Sequence, residues 1–424
     1  MTLGEAVQID LNDMGRRAKA ASVAIARAQT DHKNALLLGM ADALEAHTPA
    51  ILAANRIDLD EGRANGLGEA LLDRLDLLNR LGGIIADVRH VATLPDPVGK
   101  AFDERTLENG LRVSRRRIPL GVLGVIYEAR PNVTVEVASL ALKTGNAVIL
   151  RGGKETLLTN LALIAAVHEA LSTHDIPTDA VQLIGSTDRV YVGQMLKLDK
   201  YIDVIIPRGG ASLHQLCKEN STIPVITGGV GICHFFVDVS AKPAESLNII
   251  YNAKTSRPSV CNTLDTVLVH RDIAADFLPK IVDYLRPGGV TFKADERAMH
   301  ILGSQPDIEA AGDDDFDTEW MGLILGLKVV ESMDEAIDHI RAHSLDHSDG
   351  ILTENVAHAE KFLNEVMSSA VFWNASTRFN DGGALGLGAE VAVSTQKLHA
   401  RGPMGLEELT TYKWVIIGEG QVRG

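Results

Sequence analysis

The sequence predicts an α/β protein built from two doubly wound parallel sheets with a small β appendage. Three observations carry this. From Pro119 onward, strand-like and helix-like runs alternate, the pattern of parallel strands joined by crossover helices. A second alternating series begins after Gly231. The chain has 424 residues, more than one core organises, so two or three domains are expected.

The first hundred residues read as helices. Thr48-Pro49 ahead of Ala50-Ile51-Leu52 is a helix start, with Thr as N-cap and Pro at the first helical position. Leu71, Leu72, Leu75 and Leu78 recur at helical spacing, and Pro95 and Pro97 close the region. Asn109-Gly110 between two strand-like runs signals a hairpin with a type I′ turn. Its second arm carries Arg115-Arg116-Arg117 and reads either as a solvated edge strand guarded by cations or as an arm that pairs with another subunit.

Beyond Pro119 the pattern predicts strands at 121–127, 146–150, 181–184 and 203–206. Helices are expected at 133–143, 157–172 and 190–196, and another opens at Arg208-Gly209-Gly210-Ala211-Ser212. In the second series, strands are expected at 234–237, 264–269, 325–330 and 370–373, with helices at 243–253, 273–285, 333–342 and 356–366. The acidic run Asp313 to Asp317 reads as an exposed loop, and 411–418 as a last strand. There is no tandem repeat and no low-complexity tract.

Composition narrows the function. An apolar fraction of 46% is ordinary for a globular chain. A net charge of −15 argues against nucleic acid or an anionic membrane as partner, while leaving room for a local basic pocket that binds an anion. Cys217, Cys233 and Cys261 make neither a disulfide framework nor a zinc spacing, so no metal is expected and a reducing cytoplasm fits. The first ten residues lack the basic and apolar regions of a secretory signal, and no apolar run looks long enough to span a bilayer.

The stretch from Asn252 to Asp265 carries the chemistry. Cys261 lies in a loop between a helix and a strand, downstream of Lys254 and Arg257. The thiolate is the nucleophilic form of cysteine, and nearby cations favour it. The competing reading is a buried filler cysteine. Ser256, Pro258, Ser259 and Asn262 make burial in an apolar core the weaker choice.

Other motifs are less specific. No G-x-G-x-x-G follows a strand, and Gly152-Gly153-Lys154-Glu155-Thr156 lacks the rest of an ATP-binding loop. Arg151-Gly152-Gly153-Lys154 and Gly209-Gly210-Ala211-Ser212 sit at strand ends where phosphate could approach a helix N-terminus, or they are tight turns and nothing more. His339, His343 and His347 fall at helical spacing, but Ser344, Asp346 and Ser348 suggest that the helix stops, which favours solvated or pocket-lining histidines over a metal comb. Asp10, Asp13, Asp58 and Asp60 read as surface carboxylates.

Several stretches together resemble the γ-glutamyl phosphate reductases of the aldehyde dehydrogenase superfamily. They are Tyr127 to Thr134 (YEARPNVT), Lys143 to Gly153 (KTGNAVILRGG), Ile206 to Gly210, Thr227-Gly228-Gly229, the Cys261 loop, Asn374 to Phe379 and Ser394 to Pro403. The resemblance runs nearly end to end. It implies an aldehyde-dehydrogenase-like fold with a cofactor-binding domain of residues 1–103 and 121–239 and a catalytic domain of 240–384. Residues 104–120 and 385–424 would form a β oligomerisation arm and C-terminal segment, so a homo-oligomer is expected.

The implied reaction is NADPH-dependent reduction of L-glutamate 5-phosphate to L-glutamate 5-semialdehyde and phosphate, the second step of proline biosynthesis. Cys261 would form a thioester, and Asn132 would hold the oxyanion. Arg151 and Lys154 would favour the 2′-phosphate of NADPH, with Glu155 adjacent. Gly209, Gly210, Ser212 and Gly229 would border the dinucleotide, and Glu319 would hold the nicotinamide ribose. Arg257, Arg378, His399 and Arg401 would meet the substrate's carboxylate and phosphate. Thr227 stands where oxidising relatives carry a glutamate that activates water, which suits a reductase. No kinase motif is present, so a transient contact with a separate glutamate kinase is expected. A CoA-thioester or aldehyde enzyme of the same superfamily, a non-catalytic homologue and a cysteine hydrolase are the competing readings.

Overall fold

Parallel strands dominate, as the alternating pattern requires, in a computed structural model that describes residues 9–423. Most of the N-terminal segment in which a signal pattern was sought lies outside the described residues. The chain begins with helices α1 (Leu11–Ile25), α2 (Thr30–Ala46), α3 (Thr48–Ala64), α4 (Glu69–Leu75) and α5 (Leu81–Thr93). Next come β1 (Ala101–Thr106), β2 (Arg112–Pro119), β3 (Val122–Tyr127), α6 (Asn132–Lys143), β4 (Ala147–Arg151), α7 (Leu157–Thr173) and β5 (Val181–Leu183). Then follow α8 (Val190–Met195), β6 (Val204–Arg208), α9 (Ala211–Asn220), β7 (Cys233–Val237), α10 (Pro243–Thr255), β8 (Leu264–His270) and α11 (Arg271–Leu285). The last part holds β9 (Thr291–Ala294), α12 (Glu296–Leu302), β10 (Ile308–Ala310), β11 (Ile324–Val330), α13 (Met333–His343), β12 (Ser348–Leu352), α14 (Val356–Glu365) and β13 (Ala370–Trp373). Two short strands, β14 (Val393–Ser394) and β15 (Gly402–Pro403), precede β16 (Thr410–Ile417).

The chain divides into two compact units. The first holds the described residues up to Thr227, with Leu387–Val391 and those from Met404 on; the second holds Gly228–Gly386 and Ala392–Pro403. The division falls at 227/228 rather than at 239/240, because β7 hydrogen-bonds between β8 and β12 and so carries its residues into the second sheet.

In the first unit the sheet order is β5-β4-β3-β6, with every neighbouring pair parallel. β3 and β4 are buried along their whole length, which is why both read as unbroken apolar runs. Helix α1 lays Leu11, Met14 and Ala18 against Val122, Ile126 and Ile149 of this sheet. The expected cap of α3 is off by one residue: His47 is the N-cap, and Thr48 is already helical with its hydroxyl turned back to the Leu44 carbonyl. Of the four spaced leucines, Leu72 and Leu75 are buried, Leu71 is exposed within α4, and Leu78 lies beyond the end of the helix at Leu75 and is exposed.

Two sequence expectations fail around α7. The helix from Lys154 to Thr173 is long and apolar enough, by length and composition, to cross a membrane, although no such run was expected. Half of that window is buried, and the helix packs on α2 and α3. Asp58, expected on the surface, is 4% exposed and caps this helix: its carboxylate accepts from the Thr159 N–H at 2.8 Å and from the Thr159 hydroxyl at 2.6 Å. A buried carboxylate is tolerated there because helix N-termini offer unpaired N–H groups.

A separate antiparallel sheet has the order β1-β2-β16. The hairpin forms, but only Gly110 of the Asn-Gly pair has positive φ (84°), and Gly110 N–H reaches the Leu107 carbonyl. That is a three-residue loop closed by glycine, not the two-residue type I′ turn expected. The arginine-rich arm is also not an edge strand, since β16 pairs along its full length. The Arg115 guanidinium lies 4.8 Å from the Tyr412 ring centroid and 4.9 Å from that of Trp414, so cation–π stacking supports the β2–β16 pairing.

In the second unit seven parallel strands run in the order β10-β9-β11-β8-β7-β12-β13. Phe277, Leu278 and Ile281 of α11 pack against Val267, Val269 and Leu327 of the sheet. Strands β9, β10 and β12 and helix α12 were not foreseen. β12 was hidden because Ser348 and Asp349 open it, yet both are fully buried.

Removing the Asp58 carboxylate leaves the N–H groups at the start of α7 buried and unpaired. Asp58→Ala is expected to lower the unfolding free energy by about 2 kcal/mol, read as a drop in the urea midpoint at unchanged m-value.

Candidate active site

The Cys261 loop exists because α10 cannot continue. Pro258 disfavours helical backbone at Arg257, and the helix closes with Ser256 at its C-cap. Side chains then pin the loop that leads into β8. The Thr263 hydroxyl donates to the Arg257 carbonyl at 2.7 Å, and Thr377 donates to the Asn262 carbonyl at 2.8 Å. The Asn262 amide reaches the Asn380 carbonyl at 3.1 Å. Cys261 is half-buried, and its carbonyl accepts from the buried Cys233 thiol at 3.2 Å. The backbone is so close that a Cβ on Gly231 would lie 2.1 Å from that carbonyl oxygen. The buried-filler alternative fits Cys217 and Cys233, which are buried, rather than Cys261.

The cations expected near the thiol separate into different roles. Lys254 is fully buried and is not a neighbour left to act on the thiol alone. Its ammonium donates to the Leu264 carbonyl at 2.8 Å and faces Asp265 at 3.6 Å. Arg378 is half-buried, with its Nε donating to Ser256 Oγ at 3.1 Å. Burial holds its pKa below the usual arginine value, the nearby Arg257 guanidinium pushes it further down, and the Asp381 carboxylate opposes this ahead of Cys261. The segment that carries Arg378 is tied to the Cys261 loop through Thr377 and Asn380. Arg401 is engaged elsewhere: it donates to the Met367 carbonyl and lies 3.6 Å from Asp346. His399 is exposed with φ 66°, a strained backbone for a non-glycine residue.

Glu319 belongs to the same unit. Its carboxylate accepts from the Gly231 N–H at 3.1 Å. Burial pushes its pKa up to about 7, the Gly231 bond holds it down, and the Asp265 charge raises it further. Gly229 has φ 77° and donates its N–H to the Val393 carbonyl at 3.0 Å, so it is a structural turn in this unit. Helix α13 ends at His343, and His347 lies in the connection to β12. Among the described residues no cluster of His, Cys, Asp and Glu has the arrangement of a metal site.

In the first unit Asn132 is the first residue of α6, and its amide donates to Glu136 one turn along at 2.7 Å. A cavity of about 660 Å³ opens beside the ends of β3 and β4. Glu128, Arg151, Lys154, Arg189, Lys197 and Ser212 are among its lining residues. Arg151 lines it but is turned inward, with its two terminal nitrogens donating to the Gly152 and Thr187 carbonyls. Lys154, Arg189 and Lys197 bring further positive charge to the cavity. Arg189 and Lys197 carried no sequence signal because they come from elements distant in the chain from Lys154.

Glycines 209 and 210 lead into α9, and the Gly210 N–H donates to Glu128 at 3.1 Å. A Cβ on Gly209 would lie 2.5 Å from that carboxylate. A carboxylate thus already takes the Gly210 N–H at this helix N-terminus, the place a phosphate would compete for. The cavity cations Lys154, Arg189 and Lys197 are what suit a phosphorylated dinucleotide.

Known proteins resemble this chain along nearly its whole length. The aldehyde dehydrogenase family pattern matches residues 1–300. The γ-glutamyl phosphate reductase of Aeromonas salmonicida is 58% identical over 413 residues, 97% of this chain and 99% of that protein. The enzyme of the same name from Cronobacter sakazakii is 59% identical over 97% of this chain and all of that one. The crystal structure of γ-glutamyl phosphate reductase from Thermotoga maritima superposes with a TM-score of 0.95 at 46% identity, covering 98% of this chain and 100% of that one. An acetylating aldehyde dehydrogenase from Geobacillus thermoglucosidasius shares the fold alone, with a TM-score of 0.69 at 18% identity over 98% of this chain and 100% of that one.

Gly231 has no room for a side chain against the Cys261 carbonyl. Gly231→Ala is expected to displace the loop and to slow alkylation of Cys261 by iodoacetamide about tenfold or more at fixed pH, measured by peptide mass spectrometry. An unchanged rate would show that the loop absorbs the methyl group.

Proposed function

The chain belongs to the aldehyde dehydrogenase family, among its γ-glutamyl phosphate reductases, and we propose that it reduces L-glutamate 5-phosphate to L-glutamate 5-semialdehyde with release of phosphate, a step of proline biosynthesis. The observation that carries the reading is Cys261, half-buried in a loop pinned by Thr263, Thr377 and Asn380, with Arg378 bonded to Ser256 where the loop begins. A thiolate there attacks the acyl carbon. A carbon–sulfur bond forms, the carbon–oxygen bond to phosphate breaks, and a thioester remains on Cys261. Arg257 and Arg378 bind the anionic groups of the substrate. Asn132 donates to the oxyanion. Glu136 accepts one of its two amide N–H groups, which orients the other.

Bound NADPH supplies the hydride that converts the thioester to the aldehyde, with the thiolate restored. Lys154, Arg189 and Lys197 attract its 2′-phosphate. Arg151 braces the loop beneath them through the Gly152 and Thr187 carbonyls. The carboxylate of Glu319 accepts from the hydroxyls of the nicotinamide ribose. Thr227 offers no carboxylate to activate water, which protects the thioester from hydrolysis.

The three-stranded sheet leaves Tyr412, Trp414, Ile416 and Ile417 of β16 exposed, and we assign it to contacts between subunits of a homo-oligomer. The acyl phosphate is labile, so transfer from a separate glutamate kinase through a transient contact completes the reading. The thiols of Cys217, Cys233 and Cys261 suit a reducing cytoplasm.

The deciding experiment runs the reaction backwards. L-Glutamate 5-semialdehyde is expected to reduce NADP+ only when phosphate is present, NAD+ is expected to serve less well, and Cys261→Ala is expected to lose about a thousandfold or more of the rate. Turnover without phosphate, or with CoA in its place, would overturn the assignment. The raised pKa of Glu319 adds a pH test. Its carboxylate protonates as pH falls through about 7, so KM for NADPH is expected to rise below that pH. In Glu319→Gln that rise is expected to vanish.

A further inference from the structure

Beneath the Cys261 loop lies a buried ion pair that the mechanism above does not use. Asp265 is the second residue of β8 and is 2% exposed; Lys254, in the last turn of α10, is fully buried. Their closest approach is 3.6 Å. A buried pair in this setting is not favoured for stability, because the desolvation of two charges offsets their attraction unless further hydrogen bonds are made. The further bonds made here all go to main chain. Lys254 Nζ donates to the Leu264 carbonyl at 2.8 Å. One Asp265 oxygen accepts from the Cys233 N–H at 3.3 Å, and the other accepts from the Trp320 N–H at 3.3 Å.

Those contacts converge on the two parts of the candidate site in this unit. Cys233 supports the Cys261 carbonyl through its thiol at 3.2 Å. Trp320 follows Glu319, whose carboxylate is held by Gly231, the residue pressed against Cys261. Leu264 is three residues beyond Cys261. One carboxylate and one ammonium thus tie together the start of β7, the start of β8 and the Glu319 loop.

We propose that Lys254 and Asp265 are positioning residues that set the Cys261 loop in register with Glu319, so that the nucleophile and the nicotinamide-ribose carboxylate are held as one body. The charge of each partner is what the other requires. An Asp265 carboxylate without Lys254 would place an uncompensated negative charge beside Cys233 and close to Glu319. Consistent with this, burial raises the Asp265 pKa to about 6, while Lys254 and the Cys233 and Trp320 N–H groups pull it down. Burial also lowers the Lys254 pKa against the opposing pull of Asp265. The inference rests on the reading of Cys261 as nucleophile and of Glu319 as a cofactor ligand.

The test separates register from stability. In the double variant Lys254→Met/Asp265→Leu, apolar side chains replace the pair. It is expected to fold but to melt below the parent, because the Cys233 and Trp320 N–H groups and the Leu264 carbonyl lose their partners, so every readout is taken per folded molecule at a temperature where the variant is native. Its kcat per alkylatable Cys261 is nevertheless expected to fall about a hundredfold, the scale of a 1 Å misplacement. NADPH is expected to bind more weakly in equilibrium titration, and the pH profile of Cys261 alkylation by iodoacetamide is expected to shift. Parental kcat, NADPH affinity and alkylation profile in that variant would overturn the proposal.

If the double variant does not fold, Asp265→Asn and Lys254→Arg decide. The amide is expected to impair both NADPH binding and alkylation per folded molecule, and the arginine, which keeps the cation, to recover most of both. Losses explained by the unfolded fraction alone, or an arginine no better than Lys254→Met, would count against the pair as a positioning device. Val267→Ala, deeper in β8, controls for packing: it is expected to lower Tm while leaving kcat per folded molecule at the parental value. Failure of the reading of Cys261 is distinguishable, since it would show as parental turnover in Cys261→Ala whatever the pair does.

Discussion

A carboxylate can lie under an apolar sheet only if charge and hydrogen bonds meet it there, and Asp265 imposes that requirement on the whole neighbourhood of Cys261. Its oxygens accept from Cys233 and Trp320, and Lys254 approaches from α10. Three stretches far apart in sequence are thereby fixed to one point. The close approach of Gly231 to the Cys261 carbonyl follows, because the chain ahead of β7 is held where only glycine fits. Glu319 then sits on the Gly231 N–H with a raised pKa. A loop carrying a nucleophile is ordinarily a mobile part of a fold. Here hydrogen bonds from Thr263, Thr377 and Asn262 brace it as well.

The first unit uses a different device. Small residues after β6 leave the start of α9 open, and Glu128 reaches across to occupy it. Two of the cations near Glu128 are not equivalent. Arg151 is committed to two carbonyls, and burial lowers its pKa, whereas Lys154 lines the cavity with no such tie to the main chain among the described contacts. A residue whose donors are already used holds a loop better than it holds a ligand. On the proposed reading, discrimination for a 2′-phosphate would rest on Lys154, Arg189 and Lys197, with Arg151 bracing the Gly152 and Thr187 carbonyls.

Most of the fold was legible because parallel strands buried on both faces are apolar throughout and alternate with amphipathic helices. β12 escaped for the opposite reason: it buries Ser348 and Asp349, which carry no apolar signal, and Asp349 is satisfied by His234, Ser344 and Ser368 from elsewhere in the chain. Asp58 was misplaced on the same ground, since a lone carboxylate reads as surface until its helix N-terminus is seen. Cys261, Asn132 and Glu319 were singled out by motifs, and their roles belong to the proposed reading. Lys254 was legible as a cation but not as one half of a buried pair, because its partner lies eleven residues on in another element. Arg401 looked like a ligand by sequence and is engaged with Asp346 and Met367 instead.

The acid–base inventory bears on the exclusion of hydrolysis. A thioester survives long enough to be reduced only if no nearby group turns water into a nucleophile. Threonine at 227 has no basic form at neutral pH. Glu319 has one, and its pKa near 7 would suit a base, but one of its oxygens accepts from the Gly231 N–H, and on the proposed reading the cofactor's ribose would engage the carboxylate. Asp265 is buried beneath the loop and tied to main-chain N–H groups. Glu319 and Asp265 are therefore engaged by main-chain N–H groups rather than free to activate water. On the proposed reading, a site without a free base keeps the acyl group on sulfur for hydride in one direction and for phosphate in the other, and excludes hydrolysis from both.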